Sequence, residues 1–376
     1  MQNYIIMHKD RRVASVRSDG SCTIYNASFM PYNLCLEKTI DDLEVRLNNL
    51  ANFTYWCASR ILTMDRKYAK EILNSLGKKQ AVTDRDRAEI AISYHALSLT
   101  DVFWVKKQYE RVNYSEINLF DHSLSDSFVD VSLRGKSLTV QNADLVDPRD
   151  AAGDVATQGV APKAWVRRKG KFFLLKDGDR RDVEAELLAS KIMDCFAIDH
   201  VRYLPEQYKG ALVSSSEIIT SLDRSIVSME YVQIYTQNHD QDYFRMILDK
   251  GAYAYYSMNI IDYLIGNTDR HWGNWGFWVD NLNNRLGELH PLMDFNRSFR
   301  SYDSLDGARC LTTMSTVSQK DAAVEAIKAI GLCQIHALPD DLSKLFRTIN
   351  GLSGARLDHM LCQRLKLLQK ASVRTS

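Results

Sequence analysis

The chain has 376 residues, of which 45% are hydrophobic and 25% are charged, and its formal net charge at pH 7 is +1. These proportions are those of an ordinary soluble protein with room for about two or three domains. A net charge so close to zero gives no general attraction to nucleic acid or to a membrane surface. The sequence also lacks an apolar run as long as a membrane span, and its first residues, MQNYIIMHKDRR, lack the apolar core of a signal peptide.

The seven cysteines are scattered along the chain, and no two of them form a Cys-x-x-Cys pair. This spacing favours neither a zinc site nor a disulfide framework. Reduced, buried thiols in the cytoplasm are the interpretation that fits them.

The N-terminal third begins with strand patterns and continues with helical ones. Residues 3–8 and 12–17 and the segment near Thr23–Tyr25 are typical of short strands. Apolar residues recur at helical spacing after Asp41. We therefore predict an accessory α+β domain over residues 1–125.

Two features refine this N-terminal prediction. Thr83 followed by Asp86 is an N-cap pattern for a helix that reaches about Leu97. The aromatic and basic segment SLTDVFWVKKQY, residues 98–109, is expected to pack against the next domain rather than to bind nucleic acid.

A polar, turn-rich stretch over residues 142–156 precedes a strand hairpin and a helix. The strands are predicted at Ala164–Arg168 and Phe172–Lys176, around the turn Lys169-Gly170, and the helix at Asp182–Phe196. Further strands are predicted at Val201–Tyr203 and Ala211–Ser215. Lys176 ends an apolar strand, where its ammonium group could reach the phosphate oxygens of a nucleotide.

The most informative stretch is residues 260–299, which begins at the end of an apolar helical run. A polar loop follows with Asp269 and Asn274 five residues apart. The pattern then predicts two short strands, Trp275–Val279 and Leu286–Leu292, and the sequence Asp294-Phe295 comes after them. ATP-dependent phosphoryl transfer needs such parts: a carboxylate that positions the acceptor hydroxyl, and an amide and a carboxylate that hold Mg²⁺ on the phosphates.

This stretch resembles the catalytic loop and metal-binding segment of HipA-like serine/threonine kinases. Its Asp-Arg-His-x-x-Asn order is also similar to that of phosphatidylinositol kinases, and the resemblance covers roughly Asp154–Phe299. It implies a two-lobed protein-kinase-like α+β fold with an additional N-terminal α+β domain. The ATP-binding lobe would span residues 126–240 and the helical lobe residues 241–376.

The resemblance also implies residue roles. Asp269 would receive or orient the proton of the attacking hydroxyl, and His271 would support the loop through hydrogen bonds. Mg²⁺ would be held by Asn274 and Asp294. Lys176 would bind phosphate oxygens of ATP, and a helix glutamate would fix its position, for which we choose Glu186 over Glu184. For Arg270, pairing with a carboxylate and contact with a substrate phosphate both stay open.

Three further residues are expected to form the phosphate-covering loop: Thr157, Gln158 and Gly159. Thr157 matches the phosphorylatable hydroxyl residue of HipA-like kinases in this loop, so its autophosphorylation is expected to lower ATP affinity by charge repulsion. The adenine-contacting connector follows the strand at Ala211–Ser215 or lies near Ser228–Tyr231, where Glu230 is the candidate residue.

The activity implied by the resemblance is transfer of the γ-phosphoryl group of ATP to a Ser or Thr hydroxyl of a protein. A toxin-like or growth-regulating role would involve a regulatory protein partner, with no direct nucleic acid and no membrane. The alternatives are a lipid or small-molecule kinase and a catalytically silent nucleotide-binding fold. A metal-hydrolase site formed by His271, His290 and Asp294 is disfavoured, because Pro291 opposes the helix that this ligand spacing needs.

Overall fold

The computed structural model of the protein describes residues 3–38, 41–75, 83–122, 126–135, 160–331 and 354–373. Over these residues it combines antiparallel sheets with helices, which confirms the predicted mixed class of fold. None of the helices described there is long and apolar enough to cross a lipid bilayer.

The first sheet collects the N-terminal strands in the order β3-β2-β1-β4, all antiparallel. Its strands are β1 (Asn3–His8), β2 (Arg11–Arg17), β3 (Cys22–Ile24) and β4 (Phe103–Lys107). The strand β4 comes from the aromatic segment 98–109, so part of that segment completes the first sheet. The carbonyl groups of Leu99 and Thr100 accept hydrogen bonds from the Thr220 hydroxyl and the Ile226 amide, so the segment also contacts the next part of the chain.

The helices of this region are α1 (Leu43–Ala58), α2 (Ala69–Ser75), α3 (Asp84–Ser93), α4 (Tyr114–Ile117) and α5 (Asp126–Arg134). The predicted capping box of Thr83 and Asp86 begins α3. The helix ends before the predicted Leu97, because the backbones of His95 and Ala96 are left-handed, with φ of 57° and 50°. Because α5 contacts both α2 and the strand at Lys163–Arg168, the boundary at residue 125 stays a prediction.

The second sheet has the order β5-β6-β8-β7. Its strands are β5 (Lys163–Arg168), β6 (Lys171–Lys176), β7 (Leu204–Tyr208) and β8 (Ala211–Glu217), and the helix α6 (Arg180–Met193) lies between β6 and β7 in sequence. The strand predicted around Val201–Tyr203 begins later, at Leu204, as β7. Val201 precedes it, and its N–H donates to the carbonyl of Leu292 at 2.8 Å.

A third sheet, β11-β10-β9, lies among the remaining helices. Its strands are β9 (Arg224–Ser228), β10 (Gly276–Asp280) and β11 (Arg285–Leu289); the helices are α7 (Met229–Asn238), α8 (Tyr243–Ile265), α9 (Gln319–Ile330) and α10 (Gly354–Val373). The predicted hairpin is therefore present, with a shorter second strand. Gly266 ends α8 with φ of 62°, a left-handed cap that favours glycine, and the polar loop begins there.

Candidate active site

The loop after α8 is closed by hydrogen bonds between its own residues. The side-chain amide of Asn274 donates to the carbonyl of Asp269 at 2.8 Å, and the Asn274 backbone N–H donates to the carbonyl of His271 at 2.9 Å. The N–H of Asp269 donates to the side-chain oxygen of Asn267 at 3.1 Å. The five-residue spacing of Asp269 and Asn274 thus produces a compact turn. Since the nitrogen of the Asn274 amide is engaged, its oxygen is the atom that can bind a cation.

A buried ion pair joins this loop to α8. The Arg270 guanidinium donates to both carboxylate oxygens of Asp262, at 2.9 and 3.2 Å, and the two side chains are 3% and 7% exposed. Another nitrogen of Arg270 donates to the carbonyls of Asn274 and Met293, at 2.9 and 2.5 Å. Of the two roles left open for Arg270, the structure shows pairing with a carboxylate. The ion pair connects the helix, the loop and the residue that precedes Asp294.

His271 lies within the same loop and accepts a hydrogen bond from the N–H of Gly273 on Nδ1 at 3.1 Å. Burial raises the pKa of Asp269, and the nearby His271 partly offsets this rise. The contact with Gly273 is the kind of loop-supporting hydrogen bond expected of His271. The raised pKa makes Asp269 a better proton acceptor than a fully hydrated aspartate.

Lys176, at the end of β6, is brought between two carboxylates. Its ammonium group donates to Glu186 Oε1 at 2.8 Å and to Asp294 Oδ1 at 3.1 Å. The side chains of Lys176 and Glu186 are 8% and 1% exposed, and that of Asp294 is 25% exposed. One ammonium group therefore links the second sheet, α6 and the segment after the hairpin.

The choice between the two helix glutamates is decided by the direction of their side chains. Glu186 contacts Lys176 and also accepts a hydrogen bond from the Ser214 hydroxyl of β8 at 2.5 Å. Glu184 instead pairs with Arg180 on the same helix at 2.8 Å. The expected contact is therefore made by Glu186.

Electrostatics keep these groups charged in spite of their burial. Burial alone would raise the pKa of the Asp294 carboxyl, but the adjacent Lys176 and Lys163 outweigh it and lower that pKa to about 2. The same attraction from Asp294 and Glu186 overcomes burial at Lys176 and raises its pKa well above the ordinary lysine value. Asp294 is thus a carboxylate at every physiological pH, as a ligand for Mg²⁺ must be.

Lys163 is a site residue that the sequence analysis did not select. It is buried, and burial, reinforced by Lys176, lowers its pKa to about 8 although Asp294 acts in the opposite direction. Lys163 pairs with Lys176 across the β5–β6 hairpin, so the two side chains share a face of the sheet. The predicted turn at Lys169-Gly170 could have indicated this neighbour, because pairing the two strands outward from the turn places residue 163 opposite residue 176.

Tyr203 is a second site residue that the sequence pattern does not indicate, because the pattern around it is typical of a strand. Its hydroxyl oxygen accepts a hydrogen bond from the backbone N–H of Asp294 at 3.1 Å. The Lys176 ammonium lies 3.5 Å from that oxygen and 5.0 Å from the centre of the ring. Asp294 itself has φ of 61°, a conformation uncommon outside glycine. Tyr203 on one side and Arg270, through Met293, on the other hold the backbone in that conformation.

The nucleotide-binding predictions divide into two groups. Thr157, Gln158 and Gly159 lie outside the described residues, and the autophosphorylation of Thr157 stays a prediction.

Glu230 lies exposed in the first turn of α7, and its backbone N–H donates to the carbonyl of Trp272 at 3.0 Å. The N–H of Met229 likewise donates to Trp275 at 2.8 Å. The Ser228–Tyr231 segment is therefore attached to the catalytic loop, and both positions for the adenine connector stay open.

The rival metal site is not assembled. Among the described residues, no three His, Cys, Asp or Glu side chains come together as metal ligands. His290 is buried, its Nδ1 lies 2.9 Å from the carbonyl oxygen of Pro291, and burial lowers its pKa to about 4. Asn274 and Asp294 supply one amide and one carboxylate oxygen, the hard donors that Mg²⁺ uses together with substrate phosphates. The donor chemistry of the site therefore fits Mg²⁺ bound with a nucleotide.

A lysine–glutamate pair between sheet and helix, a polar loop and a following aspartate define the site of a kinase-like fold. Comparison with solved structures finds a similar fold in HipA of Shewanella oneidensis, which was solved with HipB and operator DNA. The match has a TM-score of 0.53 at 12% identity and covers 98% of this chain and 97% of that chain. The chain has a HipA-like kinase fold. CtkA, a proinflammatory kinase of Helicobacter pylori, matches with a TM-score of 0.45 at 15% identity, over 57% of this chain and 94% of its own. No family model and no curated protein sequence matches significantly.

Proposed function

We propose that the protein is an ATP-dependent kinase that transfers the γ-phosphoryl group to a Ser or Thr hydroxyl of another protein. The observation that carries this proposal is the contact of Lys176 with both Glu186 and Asp294, residues that lie 10 and 118 positions away in sequence. Phosphoryl transfer needs a fixed cation for the nucleotide phosphates beside a carboxylate for the metal. The HipA-like fold supports the same activity.

Each group in the site has a task in this reaction. Lys176, positioned by Glu186, binds phosphate oxygens of ATP. Asp294 and the side-chain oxygen of Asn274 would hold Mg²⁺, which would offset the negative charge of the phosphates. Asp269 orients the acceptor hydroxyl and takes up its proton as the acceptor oxygen bonds to the γ-phosphorus. The bond between that phosphorus and the bridging oxygen of the β-phosphate breaks in the same transfer, and ADP leaves. Its raised pKa brings its basicity closer to the working pH, which favours general base catalysis.

The substrate class and the regulation rest on similarity of fold. The similar HipA was solved with the protein HipB as part of a toxin–antitoxin system, which supports a regulatory protein partner and a toxin-like, growth-regulating role for this chain. The proposed location is the cytoplasm. A lipid or small-molecule acceptor is the alternative, since the Asp-Arg-His order also occurs in lipid kinases.

The test is transfer of radiolabelled phosphate from ATP by the purified protein, with a mixture of cellular proteins, a lipid vesicle and buffer as acceptors. Asp269→Asn should lower the transfer rate by about 10²–10⁴ and leave MgATP binding largely intact, because it removes only the proton acceptor. Asp294→Asn should weaken MgATP binding as well, which calorimetry measures. Asp223→Asn, whose side chain is 97% exposed, is the matched control and should behave as the wild type.

The acceptor that becomes labelled distinguishes a protein kinase from a lipid kinase. Wild-type rates in Asp269→Asn or Asp294→Asn would refute the assignment of the site. Binding of MgATP by the wild type without transfer to any acceptor would identify the silent nucleotide-binding fold.

A further inference from the structure

The helix α6 presents two carboxylates toward the site. Asp182 and Glu186 are four residues apart, so they lie one turn apart on the same face of the helix. Glu186 contacts Lys176. Asp182 lies in the first turn and meets the chain segment that follows Asp294.

The partners of Asp182 are two arginines of that segment. Arg300 donates a hydrogen bond from its guanidinium to Asp182 Oδ1, and Arg297 Nη1 lies 3.8 Å from the other carboxylate oxygen. The Asp182 side chain is 20% exposed, so its charge is partly shielded from water. Two cations therefore converge on one carboxylate at the start of α6.

The segment that carries these arginines is itself attached to the catalytic loop. The carbonyl of Arg297 accepts a hydrogen bond from the N–H of Thr268 at 3.3 Å. The N–H groups of Phe299 and Arg300 donate to the carbonyls of Ile265 and Gly266, at 2.7 and 3.2 Å. A displacement of residues 297–300 would therefore disturb the loop that holds Asp269, and the reverse also holds.

We propose that Asp182 is a positioning residue that holds α6 in the orientation in which Glu186 fixes Lys176 for nucleotide binding. This inference rests on the proposed kinase function. A helix is a rigid element, and contacts one turn apart on one face restrain both its position and its rotation. Glu186 restrains α6 against Lys176, and Asp182 restrains it against the segment that joins Asp294 to the catalytic loop.

The contacts of Asp182 bear on how the pair of Lys176 and Glu186 is kept in place. In kinases the lysine–glutamate pair must be in place for activity, and phosphorylation of the activation loop is one way to achieve it. Here the charges of Asp182, Arg297 and Arg300 make the connection from within the chain.

The experiment measures MgATP binding by calorimetry and the kinetic constants of transfer in Asp182→Asn and Asp182→Glu. We expect Asp182→Asn to raise the dissociation constant and the KM for ATP by about twofold to fivefold, the range that a partly exposed charge pair supports. Asp182→Glu keeps the charge and should recover most of the affinity. Arg300→Lys and Arg300→Gln form a second pair with the same expected contrast. Arg181→Gln, an exposed change in the same turn, is the control.

The outcomes separate this inference from the proposed function. If the wild type binds and uses MgATP while Asp182→Asn does so equally well, the positioning role is refuted and the kinase assignment stands. If the wild type neither binds nor uses MgATP, the proposed function fails. Amide hydrogen exchange then tests whether Asp182 holds α6 in place. Exchange in the first two turns of α6 should then rise in Asp182→Asn but not in Arg181→Gln, and equal exchange in both would overturn the inference.

Discussion

Replacing Asp262 with asparagine leaves the Arg270 guanidinium buried without its counter-ion while nearly preserving the shape of the side chain. Both side chains of the pair are less than a tenth exposed, at 7% and 3%, so water cannot replace the lost charge. Breaking a buried pair on one side typically costs about 3–5 kcal/mol. Arg270 also donates to the carbonyls of Asn274 and Met293, so we expect the cost to fall on the catalytic loop and on the position of Asp294.

Amide hydrogen exchange of residues 266–274 is the appropriate assay, because a chain of this size need not unfold in one step. A loss of about 3 kcal/mol corresponds to a rise of more than a hundredfold in the opening equilibrium of the loop. The matched control is Asp249→Asn. It breaks a helical ion pair with Arg245 whose atoms are 3.8 Å apart and whose side chains are 68% and 81% exposed. Such a surface pair contributes about 0–1 kcal/mol.

Asp262→Asn could change the exchange of the loop no more than Asp249→Asn does. Alternatively, protection could be lost evenly over the chain while the transfer rate of the folded fraction is unchanged. In either case the ion pair would not be what holds the loop.

Two further predictions concern the hairpin and the pH dependence of stability. Gly276→Ala should destabilise the protein by about 1–3 kcal/mol, because the added Cβ would lie 2.0 Å from the backbone oxygen of Val227. It should also weaken nucleotide binding, which calorimetry measures. Gly287→Ala in the same hairpin is the control and should be tolerated, because its Cβ would meet a side-chain carbon at 3.4 Å. Burial lowers the pKa of His290 from 6.5 to about 4. As the pH drops, His290 therefore takes up a proton in the unfolded chain before it does so in the folded protein. The free energy of unfolding should fall by about 3 kcal/mol between pH 6.5 and pH 4. Denaturation of His290→Gln between these pH values should show a smaller loss, and an identical loss would contradict the prediction.

Local features of the active site could be predicted from the sequence. The helix that ends at Gly266, the five-residue spacing of Asp269 and Asn274, and the hairpin before Asp294 all depend on residues that are close along the chain. Periodicity, capping and turn residues report such short-range preferences directly. The choice of Glu186 over Glu184 came from the resemblance to HipA-like kinases, and Glu186 is the glutamate that contacts Lys176.

Only the tertiary structure decided which charged groups share the site. Asp294 lies 118 residues from Lys176, and Asp182 lies 118 residues from Arg300. No local pattern reports a contact across that separation. Val201–Tyr203 has the composition of a strand, yet its hydrogen bonds are to distant residues: the Val201 N–H donates to Leu292, and the Tyr203 hydroxyl accepts from the N–H of Asp294. Local preferences specify helices and turns over a few residues, whereas the partner of a buried charge is selected by the packing of whole elements, which alone removes water from around it.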